Sequence, residues 1–217
     1  MLTITKILCG AAAGFCCGLA AKYWVRFLLK QRGLRYSLTA KTEWLLCIAA
    51  TVLGGILGGL TEGIPMLVAG LVLLLVSAVI TVTDFSHRII PNPAVLAILL
   101  LKLLLAVPAL LGVPGFPAFE LIPSLIGLAA CFVLFSLPGL FGKNVGAGDV
   151  KLAAAMGFFL GIYGALLAVV VMGVLVLGYG VVQRQVPVLT FFKSYIPMGP
   201  FIAVGMLAAF TASRWLL

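Results

Sequence analysis

The sequence predicts an all-α polytopic membrane protein of about eight helical segments. Three observations carry that reading. The 217 residues are 64% hydrophobic and 9% charged, with a mean hydropathy of +1.31, whereas a soluble domain carries about 25% charged residues. The apolar residues fall into runs long enough for spans of about 20 residues. The formal net charge is +9, and the bases gather between alternate runs. Together these exclude a soluble globular enzyme, a disordered chain and a secreted disulfide scaffold.

The first run is Ile7 to about Leu29. A signal peptide places its charge before the apolar core. Here Lys6 precedes the run, while Lys22, Arg26, Lys30, Arg32 and Arg35 lie at or beyond its far end. It therefore reads as a retained helix whose end snorkels into a basic interface. Lys30–Glu43 reads as a polar linker. The second span is Trp44–Thr61, where Gly54-Gly55 and Gly58-Gly59 mark close helix packing. The third, Ile64–Thr83, makes about 30 Å of helix, the thickness of a bilayer core. A polar stretch, Asp84–Arg88, follows it.

Pro91-Asn92-Pro93 opens the fourth span, with Asn92 as the expected N-cap and Pro93 as the first helical residue. That span runs to about Leu111 and holds Lys102 in its middle. Gly112–Pro117 is a turn-rich loop, and the fifth span is about Phe119–Leu140. The uncharged run Leu152–Gln183 would be about 48 Å long as one helix. Fitting it across a bilayer needs a tilt of about 50°, beyond the usual range. A break near Gly161–Gly164 is therefore expected, giving a short helix at about Val150–Leu160 and a full span at Ile162–Val182. The last span is about Pro197–Leu216.

Placing the Lys30–Glu43 linker in the cytoplasm satisfies the positive-inside rule. Lys22, Arg26, Lys30, Arg32, Arg35, Lys41, Arg88, Lys143, Lys151, Arg184 and Lys193 then fall inside or at the inner interface. Only Lys6, Lys102 and Arg214 of the 14 Lys/Arg residues do not. Both termini are expected outside. The chain divides into an N-terminal two-helix anchor with a short basic cytoplasmic linker (1–62) and a membrane-embedded functional domain (63–217).

Acid-base chemistry has few residues to draw on. The 5 acids are Glu43, Glu62, Asp84, Glu120 and Asp149, and the 1 histidine is His87. Cys9, Cys16, Cys17, Cys47 and Cys131 lie in apolar stretches with no CxxC pair, and one histidine does not complete a usual zinc site. These cysteines read as buried small apolar side chains. No metal and no cofactor is expected. Asp84 and Asp149 fall at the same predicted membrane edge, and ionisable residues near a membrane core are functional candidates. Each also has an ordinary reading, an interfacial loop residue beside Arg88 or Lys151; their matched depth favours function. Gly146 and Gly148, expected just before a helix start, allow unusual backbone angles and the close approach of another chain. A secondary transporter or channel using Asp84 and Asp149 as a proton or cation relay stays open, although transport sites sit near the midplane rather than at one edge.

Three segments add a resemblance. Asp84 is followed by Ile90-Pro91-Asn92. Gly146-Ala147-Gly148-Asp149-Val150-Lys151 forms a GxGDxK pattern. Ile196-Pro197-Met198-Gly199-Pro200-Phe201 follows near the end. In order and spacing they resemble the type IV prepilin peptidase family, membrane aspartic proteases of the GxGD class, with Met198 where phenylalanine is usual. The resemblance covers about Ile64 to Leu216. It implies an endopeptidase that removes the short basic leader from prepilin or pseudopilin substrates at the cytoplasmic face of the inner membrane. Asp84 and Asp149 are the implied catalytic pair. Gly146, Gly148, Lys151, Arg88, Pro91, Asn92, Pro197, Gly199 and Pro200 are the implied substrate-binding or site-shaping residues. The lipid bilayer is an expected partner and nucleic acid is not. Bifunctional members carry paired CxxC motifs linked to N-methylation in the region that here holds Lys30–Glu43. That stretch has no cysteine, so cleavage without the methylation module is implied.

Helix dipoles suggest which aspartate holds the proton. Asp149 is expected at a helix N-terminus, which favours the anion, and Asp84 at a C-terminus, which disfavours it. Asp149 is thus the expected base and Asp84 the protonated partner. His87 reads either as an aid to proton transfer or as a loop residue.

Overall fold

The computed structural model describes residues 2–36, 38–116, 118–140, 146–182 and 197–216. Regular structure among them is wholly helical: α1 Leu2–Gln31, α2 Ala40–Leu60, α3 Ile64–His87, α4 Asn92–Leu110, α5 Leu121–Leu140, α6 Ala147–Val182 and α7 Gly199–Leu216. Six helices are long and apolar enough to cross a membrane. Large apolar side chains point outward on every helix, from Ile4 on α1 to Val204 on α7. Such a surface would drive aggregation in water, whereas lipid solvates it and the helices satisfy their own backbone bonds. The chain is a multi-pass membrane protein. Lys143, Arg184, Lys193 and Ile196, which the sequence reading placed at the inner interface or in the last motif, lie outside the described residues.

The chain forms two compact units, Met1–Ile122 and Pro123–Leu217. In the first, α1 and α2 meet through small residues. A Cβ added at Gly54 would fall 2.7 Å from the Gly14 Cα, and one at Gly10 would fall 2.9 Å from the Gly58 Cα. In lipid, helices associate by such backbone proximity and dispersion, not by the hydrophobic effect. The opposite side of α1 explains a departure from expectation. Cys9 and Cys16, away from the Gly10/Gly14/Gly18 face, are exposed; Cys17 is half-buried, and only Cys47 and Cys131 are buried.

α1 also packs on α3. Ala21, Val25, Leu28 and Leu29 meet Ala78, Val79 and Val82, with Trp24, Leu34, Tyr36 and Leu38 at the margin. The linker is shorter than the expected Lys30–Glu43, because α1 continues to Gln31 and α2 begins at Ala40. Thr39 caps α2, its hydroxyl accepting from the Thr42 N–H at 3.4 Å. Glu43, in the first turn of α2, pairs with Lys22 and with Arg26 at 2.9 Å. The Arg26 guanidinium lies 4.7 Å from the Tyr36 ring centroid. Burial pushes the Tyr36 phenol up to about 12, and the Glu43 carboxylate beside it adds to the rise. On α4, the Lys102 ammonium sits 5.6 Å from the Phe119 ring centroid, a cation over an aromatic face.

In the second unit, α6 leaves helical geometry at Gly161 (φ 71, ψ 178), inside the interval where the tilt argument requires a break. A side chain at this φ is strained, so glycine holds the position. α7 runs antiparallel to the 162–182 arm. The Phe201 ring meets Tyr179 at 5.6 Å, Gly205 abuts Ala168, and Phe210 meets Phe159 at 6.1 Å. α5 packs on the other arm through Gly127, which faces Gly157 and Gly161, while the Cys131 Sγ lies 3.0 Å from where a Gly157 Cβ would be.

Candidate active site

Asp84 lies on α3, which continues to His87. The stretch expected to be polar loop is therefore the last turn of the helix. Termination falls to Arg88, which takes the left-handed conformation (φ 54, ψ 42) and donates its N–H to the Asp84 carbonyl at 2.9 Å. A left-handed residue cannot propagate the ladder. Asp84 is only 5% exposed. Its neighbour Thr83, buried as well, donates its hydroxyl to the Val79 carbonyl at 2.9 Å. Past the helix end, Arg88 and Asn92 are exposed while Ile90 and Pro91 are buried.

The N-cap of α4 is Pro91, one residue before the expected Asn92. The Pro91 backbone is extended (φ −69, ψ 130). Its carbonyl accepts from the Ala94 and Val95 N–H groups at 3.0 and 3.3 Å, so those donors are already taken before an Asn92 side chain could serve them. His87 has a partner outside its helix. Its Nε2 lies 3.0 Å from the Arg35 carbonyl oxygen, which ties the linker to the turn that carries Asp84.

Asp149 lies in the first turn of α6, which starts at Ala147 and not at the expected Val150. The Gly146 carbonyl accepts from the Asp149 and Val150 N–H groups at 3.0 and 3.3 Å. Gly148 is not among the positive-φ glycines. Space is what Gly146 supplies. A Cβ there would fall 2.6 Å from Asp149 Oδ2, because the carboxyl folds back over the helix start. Gly146→Ala should therefore push the carboxyl aside, which a structure of the folded variant checks; a carboxyl left in place would show that the space is not needed.

Lys151 is exposed. Pro197 is half-buried, and Gly199 and Pro200 are buried at the start of α7. The first unit thus gathers Asp84, Arg88, Pro91 and Asn92 around the end of α3. The second holds Gly146, Gly148, Asp149 and Lys151 at the start of α6, and Pro197, Gly199 and Pro200 at the start of α7. No group of three or more His, Cys, Asp or Glu residues able to hold a metal ion occurs among the described residues.

The model of the type IV leader peptidase family matches residues 71–181, just over half of the chain. That interval includes both aspartates and the whole GxGDxK segment. The chain belongs to the type IV leader peptidase family. It is therefore a peptidase, a hydrolase acting on protein from within a lipid bilayer. No curated protein and no solved structure matches this leader peptidase family member. Within its matched interval, the sequence reading overlooked two buried polar side chains, Ser77 and Ser124. Ser77 is 4% exposed on α3, seven residues before Asp84; that two-turn spacing was the available signal.

Proposed function

We propose that this leader peptidase family member removes the short basic leader from prepilin or pseudopilin substrates, with Asp84 and Asp149 as its catalytic pair. The observation that carries the reading is the family match over 71–181, which encloses two aspartates, each in a terminal turn of an apolar helix. The ionised carboxylate takes a proton from water as the water oxygen attacks the scissile carbonyl carbon. The protonated carboxyl donates a hydrogen bond to the carbonyl oxygen. Two carboxylates about 4 Å apart repel by about 4 kcal/mol at an effective dielectric near 20. That separates the two proton losses by about three pKa units, so the pair holds one proton over a wide pH range. The helix dipoles favour Asp149 as the base and Asp84 as the proton holder.

In this reading, residues 63–217 carry the peptidase and 1–62 anchor it. Both aspartates face the cytoplasm at the inner membrane, on the side of the basic linker. Gly146, Gly148, Lys151, Arg88, Pro91, Asn92, Pro197, Gly199 and Pro200 shape the site around the extended substrate. A basic leader gains little from a basic protein face, so anionic lipid and main-chain contacts hold it. Coexpression with a prepilin bearing such a leader should yield the shortened product, whether or not a zinc chelator is present. A leader that stays attached while the peptidase is folded in the membrane would refute the reading.

A further inference from the structure

Within α3, Leu73, Ser77, Ile80 and Asp84 recur at steps of three and four residues, so they share one face. All four are buried. The side of α3 against α1 is a different one and carries Ala78, Val79 and Val82. Ser77 and Asp84 are thus the two polar groups of one enclosed stripe.

Hydroxyls on apolar helices commonly bond back to a carbonyl one turn earlier. Thr51, Thr61, Thr83, Ser136 and Thr211 do so here, donating to the carbonyls of Cys47, Leu57, Val79, Phe132 and Ala208. Ser77 does not. Its Oγ is buried and has no hydrogen-bond partner among the described residues. A buried unpaired hydroxyl is destabilising, and such groups call for a specific explanation, often a functional one. Asp84 is as enclosed as Ser77 and lies on the same face of α3, so a peptide running along that face from Asp84 meets Ser77 next among the polar groups.

Depth identifies what the hydroxyl meets. Seven helical residues place Ser77 about 10 Å further into the bilayer than Asp84. A peptide extended through the site advances about 3.3 Å per residue and reaches that depth about three residues past the scissile bond. There an apolar substrate helix resumes, and its first four N–H groups lack partners within the helix. Serine oxygen is a preferred acceptor for such groups. We propose that Ser77 is a substrate-binding residue whose Oγ caps the unwound N-terminal turn of the substrate helix, accepting a main-chain N–H about three residues beyond the cleaved bond. This rests on the proposed leader cleavage.

The test uses the full chain in phosphatidylethanolamine/phosphatidylglycerol nanodiscs and a synthetic peptide holding a basic leader and the apolar segment after it. Ser77→Ala should raise KM about fivefold, the loss of one neutral hydrogen bond, with kcat within about twofold and no fall in thermal midpoint. Ser77→Thr, which keeps an oxygen, should restore most of the affinity. Peptides with an ester in place of the amide at the second, third or fourth residue after the bond lack one N–H each. One of them should show the same KM rise on wild-type protein, and that rise should vanish on Ser77→Ala. Losses that add in full for every ester, or a Ser77→Ala variant with unaltered KM, would overturn the capping role while leaving leader cleavage intact. Failure of the wild-type protein to cleave the parent peptide would instead overturn the proposed function, and the capping role with it.

Discussion

Asp84→Asn and Asp149→Asn are each expected to lower leader cleavage by about 10³-fold or more, and the double variant to fall no lower than either single one. Asparagine keeps the shape of the side chain but neither ionises nor supplies an acidic proton. In the proposed mechanism either substitution removes one of two roles that work only together, and general acid-base groups contribute about 10²–10⁴-fold. Residues that act as a unit give grossly non-additive losses. The fold should survive. Asp84 is nearly enclosed in an apolar helix, where a neutral amide is less costly than a carboxylate. Single-turnover cleavage and thermal midpoints in the same nanodiscs separate the two effects. If either variant retains more than a tenth of wild-type activity, the pair is not the catalytic centre.

Gly157→Val should be strongly disruptive although it lies away from the aspartates. A Cβ at 157 would collide with the Gly127 carbonyl oxygen and lie 2.6 Å from its carbon. The clash is with backbone on a facing helix, so no rotamer change relieves it. The reciprocal site is equally closed, since a Cβ at Gly127 would lie 2.7 Å from the Gly161 carbonyl carbon. Separating α5 from α6 by the width of a methyl group forfeits the dispersion that holds helices together in lipid. Overpacking of this kind costs about 3 kcal/mol or more. The expected result is a large drop in thermal midpoint and in the amount of membrane-inserted protein, with activity lost in parallel. Gly173→Ala serves as the control, because a Cβ there meets nothing within 4 Å. A Gly157→Val protein as stable as that control would mean the two backbones do not touch.

Several elements were legible because they depend on neighbours in sequence. Hydropathy summed along the chain located the helices of the described residues, and the length of the run after Leu152 called for a break at the interval where Gly161 provides it. Helix ends were less legible. α3 runs on through His87 because Arg88, and no earlier residue, adopts the left-handed conformation. α4 is capped by the Pro91 carbonyl, which a side-chain preference for asparagine does not anticipate. For Gly146 the residue was singled out, but the reason the structure supplies is one the sequence did not carry: it leaves room for the Asp149 carboxyl.

By itself, then, the sequence determined that this is a multi-pass helical membrane protein and which two aspartates stand at helix ends, while the leader peptidase family entered as a resemblance of motifs that the family match then bore out. The first two conclusions follow from composition, run length and residue spacing, all of them local quantities. Only the tertiary structure decided that Gly127 meets Gly157, that Cys9 and Cys16 face outward while Cys47 does not, and that the buried Ser77 hydroxyl has no hydrogen-bond partner among the described residues. The physical reason is that such choices are settled by side chains and backbone arriving from other helices, far away along the chain, and a helix carries no local record of which neighbour will cover each of its faces.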